Sequence, residues 1–254
     1  MKIVRFTTGG KTAYGLLEGE QIRTLAADPF SDAWNAAEPL LDGGVYELND
    51  VRLLVPCEPT KYLGVGLNFS SAAAQQGKQC PDYPITFLKP TGAIIGTGDS
   101  IILPREEDCF CFEGELAVVI GKLCSHVSAA EAKDYILGYT CSNDVTDMGS
   151  FGKDDLKLKA ADTFGPVGPC ISTEPDPRNC VIRSWLNGKL QQEGNTSEMK
   201  FDVFYMVEFI SSYMTLYPGD VISMGTPAGF AHIRPGDEIV VEVEGVGKLV
   251  NRVK

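Results

Sequence analysis

The segment from Cys111 to Ile120 constrains the fold of this chain more than any other part of the sequence. In it, two carboxylates, Glu113 and Glu115, precede a run of five consecutive apolar residues. Apolar residues at consecutive positions, without the alternation of a half-exposed strand, are typical of a strand buried on both faces. We therefore predict a strand inside a sheet, with other structure packed against both of its faces.

Glu113 and Glu115 are expected to point to the same face of this strand, because side chains alternate along an extended chain. Two neighbouring carboxylates in a poorly solvated place are unfavourable unless a proton or a cation compensates them. Oxygen ligands favour a hard ion such as Mg²⁺, Mn²⁺ or Ca²⁺ over zinc. Asp144, which follows the strand-like residues 138–143, is a candidate third ligand. From the residues alone, a solvated Glu-x-Glu pair at a sheet edge remains the alternative.

Most of the chain predicts short strands joined by turns. Asn187-Gly188, which lies between two strand-like runs, is typical of a two-residue hairpin with a type I′ turn. Residues 1–57 contain short strands and turns and are predicted to form a small N-terminal β module. A proline-bearing link follows, and residues 58–254 are predicted to form the larger catalytic domain.

Helical patterns are fewer than strand patterns. Ser128 and Glu131 form a capping box that predicts a helix over 129–136, and a cap at Asp202 predicts a second helix over 203–214. Residues 26–37 are compatible with a short third helix. Many strands with few helices favour a β-rich α+β fold.

Charge and cysteine usage exclude several classes of function. Twenty-two Lys and Arg against 34 Asp and Glu give a net charge of −12, which would repel nucleic acid and anionic membrane surfaces. The start of the sequence has no apolar signal core, so we expect a cytoplasmic protein. The eight cysteines include no Cys-x-x-Cys pair and no closely spaced His, so their spacing predicts reduced, buried thiols rather than a zinc framework.

Seven motifs make residues 60–254 resemble the fumarylacetoacetate hydrolase family. They are, in chain order, Gly66-Leu67-Asn68-Phe69, Phe87-Leu88-Lys89-Pro90, Glu113-Gly114-Glu115 with the apolar run to Gly121, Gly138-Tyr139-Thr140 with Asn143-Asp144-Val145, Lys159 with the run from Asp162 to Pro169, Gly194-Asn195-Thr196-Ser197, and Gly225-Thr226-Pro227-Ala228-Gly229. The resemblance implies a catalytic domain with a mixed β-roll, usually a homodimer.

The resemblance also implies a set of site residues. In this family Mg²⁺ or Mn²⁺ is held at the positions of Glu113, Glu115 and Asp144, and it chelates neighbouring oxygens of a small 2-oxo acid or β-dicarbonyl acid. Lys159 and Thr226 match residues that contact the substrate and are expected to be catalytic. From the residues alone, Lys159 could instead be a solvated lysine and Thr226 a turn residue.

Asn68 and Lys89 also lie in matching motifs, which makes them candidate substrate-binding residues. For Lys89, a buried aliphatic stem with its charge at the rim of the pocket is an equally good interpretation.

The sequence departs from the family at three positions. Hydrolytic members have a His and Glu pair where this chain has Ala72 and Gln75, and an arginine where it has Met148. Neither Ala nor Gln can accept a proton near neutral pH, so water activation lacks its usual base. The loss of the arginine clamp makes Met148 a candidate substrate-binding residue for a less acidic or more apolar substrate.

These departures favour decarboxylation or keto-enol tautomerisation over hydrolysis, because both reactions need the electron sink more than activated water. His232, shortly after the Thr226 motif, is a candidate replacement base, although it could also be an exposed loop residue. Two alternatives stay open. One is an acylpyruvate or fumarylacetoacetate-type C–C hydrolase that uses another base, and the other is a catalytically silent metal-binding subunit.

Overall fold

The computed structural model describes residues 1–104 and 109–254, and strands dominate this part of the chain. The strands are β1 (Lys2–Thr8), β2 (Lys11–Glu18), β3 (Gln21–Leu25), β4 (Leu41–Glu47), β5 (Arg52–Leu53), β6 (Tyr62–Gly66), β7 (Ile85–Lys89), β8 (Ile94–Ile95), β9 (Ser100–Ile101), β10 (Phe110–Phe112), β11 (Gly114–Ile120), β12 (Ile136–Asn143), β13 (Thr146–Asp147), β14 (Gly165–Ser172), β15 (Val181–Leu186), β16 (Lys189–Asn195), β17 (Val221–Ser223), β18 (Ala231–His232), β19 (Glu238–Val243) and β20 (Gly247–Val253). The helices are α1 (Ser70–Gln75), α2 (Asp155–Lys159) and α3 (Val203–Tyr213), with 3₁₀ turns at Leu48–Asp50, Thr91–Ala93, Ala132–Tyr135, Met148–Ser150 and Thr196–Glu198. This content confirms the predicted β-rich α+β class. Within the described ranges, no helix is long and apolar enough to cross a membrane.

The largest sheet has 12 strands and contains both parallel and antiparallel pairs. Its main path is β4-β3-β2-β1-β14-β12-β11-β17-β6-β7, while β5 pairs with β1 and β8 pairs with β14. The strands of the N-terminal segment therefore continue the sheet of the larger segment through the antiparallel pair β1 and β14. A five-stranded sheet, β16-β15-β19-β20-β9, and a three-stranded sheet, β13-β10-β18, complete the fold.

Strand β11 is buried along its whole length, which confirms the central strand predicted from the sequence. Leu116 and Val118 join the larger apolar core, together with Val241 and Val243 of β19. Ala117 and Val119 point the other way, into a second apolar cluster that includes Tyr62. Because both faces are covered by apolar side chains, polar groups at the start of this strand face little solvent.

The Asn187-Gly188 hairpin is confirmed. The two residues connect β15 to β16, and both have positive φ, 53° and 76°, as a type I′ turn requires. The second predicted helix is confirmed as α3, and the Asp202 side chain accepts a hydrogen bond from the backbone N–H of Tyr205, as an N-cap does.

The other two predicted helices differ from the structure. Only half of the predicted capping box forms, because Glu131 Oε2 accepts from the backbone N–H of Ser128 at 3.3 Å while Ser128 Oγ donates to the same carboxylate at 2.5 Å. Only Ala132–Tyr135 is helical, because Ile136 pairs with Ile120 in the sheet. Residues 26–37 form turns instead of a helix. There, Asp28 accepts a hydrogen bond from the backbone N–H two residues later, a local bond that competes with the helical pattern.

Candidate metal centre

Three buried carboxylates meet where the start of β11 lies beside the end of β12. Glu113 occupies the break between β10 and β11, Glu115 is the second residue of β11, and Asp144 follows β12 directly. The antiparallel register, with Gly114 opposite Asn143, brings the three positions together. One oxygen atom from each carboxylate lies within 4.8 Å of the other two.

Two lysines are hydrogen-bonded to this cluster. Lys159, the last residue of α2, donates from Nζ to Glu113 Oε2 at 2.9 Å, to Thr146 Oγ1 at 2.6 Å and to Asp144 Oδ2. Lys89 at the end of β7 is fully buried and donates to Asp144 Oδ1 and to the carbonyl oxygen of Val145 at 3.1 Å. The carboxylate of Asp144 is therefore held between two ammonium groups.

Burial and charge shift the protonation of the three carboxylates in different directions. Burial, together with the neighbouring Asp144 and Glu113 carboxylates, raises the pKa of Glu115 to about 8. Burial also raises the pKa of Glu113, although Lys159 opposes this. For Asp144, burial opposes ionisation, but Lys159 and Lys89 outweigh it and lower the pKa. Glu115 therefore has too little positive charge nearby to offset its burial.

The cluster fits a hard divalent cation. Opposite oxygen ligands of Mg²⁺ lie roughly 4.2 Å apart, so oxygens within 4.8 Å of one another reach a shared ion after small side-chain rotations. The donors are all oxygen atoms, which suits Mg²⁺ or Mn²⁺ and is a poor set for zinc. The Lys159 ammonium group, hydrogen-bonded between Glu113 and Asp144, already marks the position as one that attracts a cation.

A cavity of about 310 Å³ opens above the carboxylates. Lys159 and Thr226 line it together with the three carboxylates, as does Met148. Much of the remaining wall is apolar and includes Leu67, Ile85, Phe87, Phe151 and Leu158. The Phe87 ring lies 4.9 Å from Lys159 Nζ, so the lysine has an aromatic face beside it. A ligand in this cavity would meet charge at the floor and apolar side chains along the walls.

The hydroxyl of Thr226 is already engaged within the protein. It donates to the carbonyl oxygen of Gly114 at 2.8 Å and accepts from Gln192 Nε2 at 2.7 Å. Gln192 also accepts from the backbone N–H of Gly114 at 3.0 Å and donates to the carbonyl oxygen of Pro227 at 2.8 Å. One fully buried amide thus ties the Glu-Gly-Glu segment to the Thr226 loop.

Sequence reasoning did not identify Gln192, because its partners lie 78 and 34 residues away and no local pattern marks it. It also missed why Gly114 separates the two glutamates. A Cβ atom at position 114 would collide with Ser184 Oγ on the neighbouring sheet. The residue between the two glutamates therefore has to be glycine, because the two sheets pack closely at this point.

Three of the other candidate residues have different surroundings. Asn68 is buried and its amide bonds the backbone of Phe201 and Met224, so it braces the loop after β6. Lys89 is not among the described residues that line the cavity, and it forms an ion pair with Asp144. His232 is exposed on β18, is not among the described residues of the lining, and contacts the thiols of Cys109 and Cys111.

Helix α1 covers one side of the cavity without presenting an acid or base to it. Ala72 lines the cavity, whereas Gln75 points to the 229–230 loop, where its Oε1 accepts from the backbone N–H of Gly229 at 2.6 Å. Among the described residues of the lining, none is a histidine.

Comparison with protein families finds two matches along the chain. The family described as "Fumarylacetoacetate (FAA) hydrolase C-terminal" matches residues 61–254, and the family described as "Rv2993c-like, N-terminal" matches residues 1–56. Among individual relatives, the 4-hydroxyphenylacetate degradation bifunctional isomerase/decarboxylase of Escherichia coli is 40% identical over 195 residues. That match covers 74% of this chain and 46% of the E. coli protein, so it spans about half of that protein.

Solved structures of similar proteins cover the whole chain. The 5-carboxymethyl-2-hydroxymuconate delta-isomerase of Mycobacterium smegmatis superposes with a TM-score of 0.90 at 39% identity, covering 100% of this chain and 99% of that one. The maleylpyruvate hydrolase of Sphingobium sp. SYK-6, solved with manganese(II) and pyruvate, gives a TM-score of 0.81 at 32% identity, covering 100% and 98%.

These relatives are named as isomerase, decarboxylase and hydrolase enzymes, which confirms the prediction of an enzyme. The family match extends over most of the chain and includes all three clustered carboxylates. The resemblance first seen in seven sequence motifs is therefore confirmed, and the chain belongs to the fumarylacetoacetate hydrolase family.

Proposed function

We propose that this chain is a divalent-cation-dependent isomerase or decarboxylase that acts next to the carbonyl group of a small 2-oxo or β-dicarbonyl acid. The observation that carries the proposal is the convergence of Glu113, Glu115 and Asp144 with Lys159 on one cavity. In this proposal the three carboxylates hold Mg²⁺ or Mn²⁺. A divalent cation bound there would supply Lewis-acid polarisation of adjacent carbonyl and enol oxygens.

The chain's own residues then have distinct tasks. Lys159 brings a buried positive charge into the cavity, where it stabilises negative charge that develops on the carbonyl oxygen of the substrate. Burial lowers the pKa of Lys159, but Asp144 and Glu113 outweigh this and hold the pKa above its usual range, so the lysine stays charged. Thr226, which lines the same cavity and whose hydroxyl accepts from Gln192, orients the substrate.

The cavity wall supports isomerisation or decarboxylation over hydrolysis. Hydrolysis needs a base that activates water, and Ala72 offers none at the position on α1 that lines the cavity. Relatives named as isomerases and decarboxylases support the same choice, while the similar maleylpyruvate hydrolase keeps C–C hydrolysis as the second candidate.

The substrate is proposed to carry a less acidic or more apolar tail than is usual in this family. Met148 lines the cavity beside Phe151 and Leu158, which offer dispersion contacts and no charge. A distal carboxylate would need a cationic partner at this wall.

A substrate panel followed by NMR tests the proposed function. The purified protein is mixed with oxaloacetate, acylpyruvates, β-diketo acids, maleylpyruvate and 5-carboxymethyl-2-hydroxymuconate, first with Mg²⁺ or Mn²⁺ and then with EDTA. We expect cation-dependent conversion of at least one compound, with products that reveal CO₂ release or tautomer exchange. A panel in which only hydrolysis products form would establish the second candidate. Turnover that persists in EDTA would contradict the proposed cation.

Glu115→Gln sharpens this test. The variant keeps an acceptor for the backbone N–H of Gly225, which Glu115 Oε2 binds at 2.8 Å, and removes only the charge. We expect activity to fall by more than the roughly 10- to 100-fold typical of losing an outer-shell partner of a metal. Glu193→Gln, at an exposed position paired with Arg183, is the matched control and should keep full activity.

The proposed homodimer is tested separately by light scattering.

A further inference from the structure

A second cluster of metal-ligating side chains lies outside the cavity, on the three-stranded sheet. In the antiparallel pair β10 and β18, Cys111 is directly opposite His232. Cys109 lies two residues before Cys111, so both thiols are on the same face of an extended segment. The strand pair therefore brings two thiols and an imidazole together, although 121 residues separate Cys111 from His232.

The imidazole contacts both thiols. Cys109 Sγ lies 3.1 Å from His232 Nδ1, and Cys111 Sγ lies 3.4 Å from the same nitrogen. Cys109 and His232 are exposed, whereas Cys111 is buried. The cluster is therefore reachable from solvent while one of its donors is fixed in the protein interior.

We propose that Cys109, Cys111 and His232 form a binding site for a soft divalent cation of the zinc class. Tetrahedral zinc, with bonds of about 2.3 Å to sulfur and about 2.0–2.1 Å to nitrogen, holds sulfur and nitrogen ligands roughly 3.5 Å apart. The two sulfur-to-nitrogen distances are within a few tenths of an ångström of this separation. Three protein ligands with water as the fourth is a recognised zinc coordination.

The ligand types separate this site from the carboxylate cluster. Thiols and imidazole select soft or borderline ions, whereas the Glu113, Glu115 and Asp144 oxygens select hard ones. Cys111 and Glu113 are only two residues apart, so the two sites would be close neighbours with different ion preferences. This inference does not depend on the proposed catalytic function, because no substrate takes part in it.

A disulfide between Cys109 and Cys111 is the rival use of the two thiols. The position of the imidazole favours the metal, because Nδ1 lies within 3.4 Å of both sulfurs and a disulfide has no need of a third donor. Both cysteines are free thiols in the structure.

Titration with Cd²⁺ tests the site directly, because cadmium–thiolate bonds give an ultraviolet charge-transfer absorption that carboxylates do not. The full-length reduced protein is first saturated with Mg²⁺, and Cd²⁺ is then added. We expect one equivalent of Cd²⁺ to produce the absorption, and excess Zn²⁺ to decrease it by competition. Cys109→Ser and His232→Ala should each weaken Cd²⁺ binding about tenfold or more.

Cys80→Ser is the matched control, since Cys80 is a partly exposed thiol elsewhere in the chain, and it should bind Cd²⁺ as the wild type does. Cys109 and His232 are exposed, so their variants should fold, and the far-ultraviolet circular dichroism checks this. Absence of the absorption in the wild type overturns the proposal. So does a Cd²⁺ affinity that His232→Ala leaves unchanged, or binding that Cys80→Ser removes. A protein whose mass shows a Cys109–Cys111 disulfide formed in air despite added Zn²⁺ also overturns it.

Discussion

Ala72 is the residue of α1 that lines the cavity. Gln75 follows three residues later, so the two positions lie on the same face of the helix. We expect the double variant Ala72→His/Gln75→Glu to gain C–C hydrolysis of acylpyruvates. The imidazole would supply the missing base, and the carboxylate at position 75 would orient it. NMR in ¹⁸O-labelled water, followed by mass spectrometry of the released acid, measures this gain.

Ala74→His is the matched control for this variant, because residue 74 is exposed on the same helix and its imidazole would point to solvent. It should not gain hydrolysis. If the double variant binds the cation and still forms no hydrolysis product, the absence of a base does not determine which reaction this enzyme catalyses.

The sequence could predict the three carboxylates because each carries a local signal. Glu113 and Glu115 precede an apolar run, and Asp144 ends a strand. The partners of His232 carry no such signal. They depend on the pairing of β10 with β18 across 121 residues, and sequence spacing therefore gave no reason to expect a Cys and His cluster.

Strand β16 fixes the carboxylate segment of β11 through Gln192, whose side chain is fully buried. In Gln192→Leu, the N–H of Gly114 and the carbonyl of Pro227 lose their partner, and each unsatisfied group costs about 1–3 kcal/mol. We expect the free energy of unfolding to fall by about 2 kcal/mol or more. Cation affinity should also fall, because Gly114 lies between two of the proposed ligands. Urea denaturation and isothermal titration calorimetry with Mn²⁺ measure the two effects.

The neighbouring residue provides the control, since Gln191 is only half-buried and lies at the irregularity in the pairing of β16 with β15. Gln191→Leu should leave both quantities unchanged. Wild-type cation affinity in Gln192→Leu would show that the carboxylates keep their positions without this amide.

Elements set by local turn chemistry were predictable from sequence, and elements set by sheet pairing were not. The positive φ of Asn187 and Gly188 is a property of those two residues, so the hairpin follows from them. The capping pattern at Ser128 predicted a helix over 129–136, but only Ala132–Tyr135 is helical and Ile136 pairs with Ile120 in the sheet. No local pattern could reveal that competition.

Because several thiols are buried, the stability of the whole molecule is expected to depend on pH. Burial raises the pKa of Cys57 and of Cys170 from about 9 to about 12. Above pH 9 the unfolded chain releases these protons while the folded chain retains them, so stability falls as the pH rises from 9 towards 12. Each thiol lowers the free energy of unfolding by about 1.4 kcal/mol per pH unit in that window.

Urea denaturation of the reduced protein at pH 8, 9 and 10 measures this slope. Cys170→Ala should decrease the slope between pH 9 and 10, because it removes one titrating thiol. A free energy of unfolding that stays constant from pH 8 to pH 10 would contradict the prediction.

The joining of residues 1–57 to the rest of the sheet decides whether the larger segment folds alone. Strand β1 pairs with β14, Phe6 lies in the larger core, and Ile3 lies in the second cluster, each with no exposed surface. Burying one such side chain contributes about 1.5–3 kcal/mol, and β14 without β1 becomes an open sheet edge. These losses are large against the about 5–15 kcal/mol that stabilises an ordinary domain.

We therefore expect residues 58–254, expressed alone, to aggregate or to unfold well below the melting temperature of the full chain. Size-exclusion chromatography and circular dichroism measure both. Co-expression with residues 1–57 should restore a folded complex, because the β1–β14 pairing needs no covalent link. A monodisperse 58–254 fragment that melts at the same temperature as the full chain would mean that the first 57 residues are an independent module. In that case the shared sheet would contribute little to stability, in spite of the side chains that β1 buries.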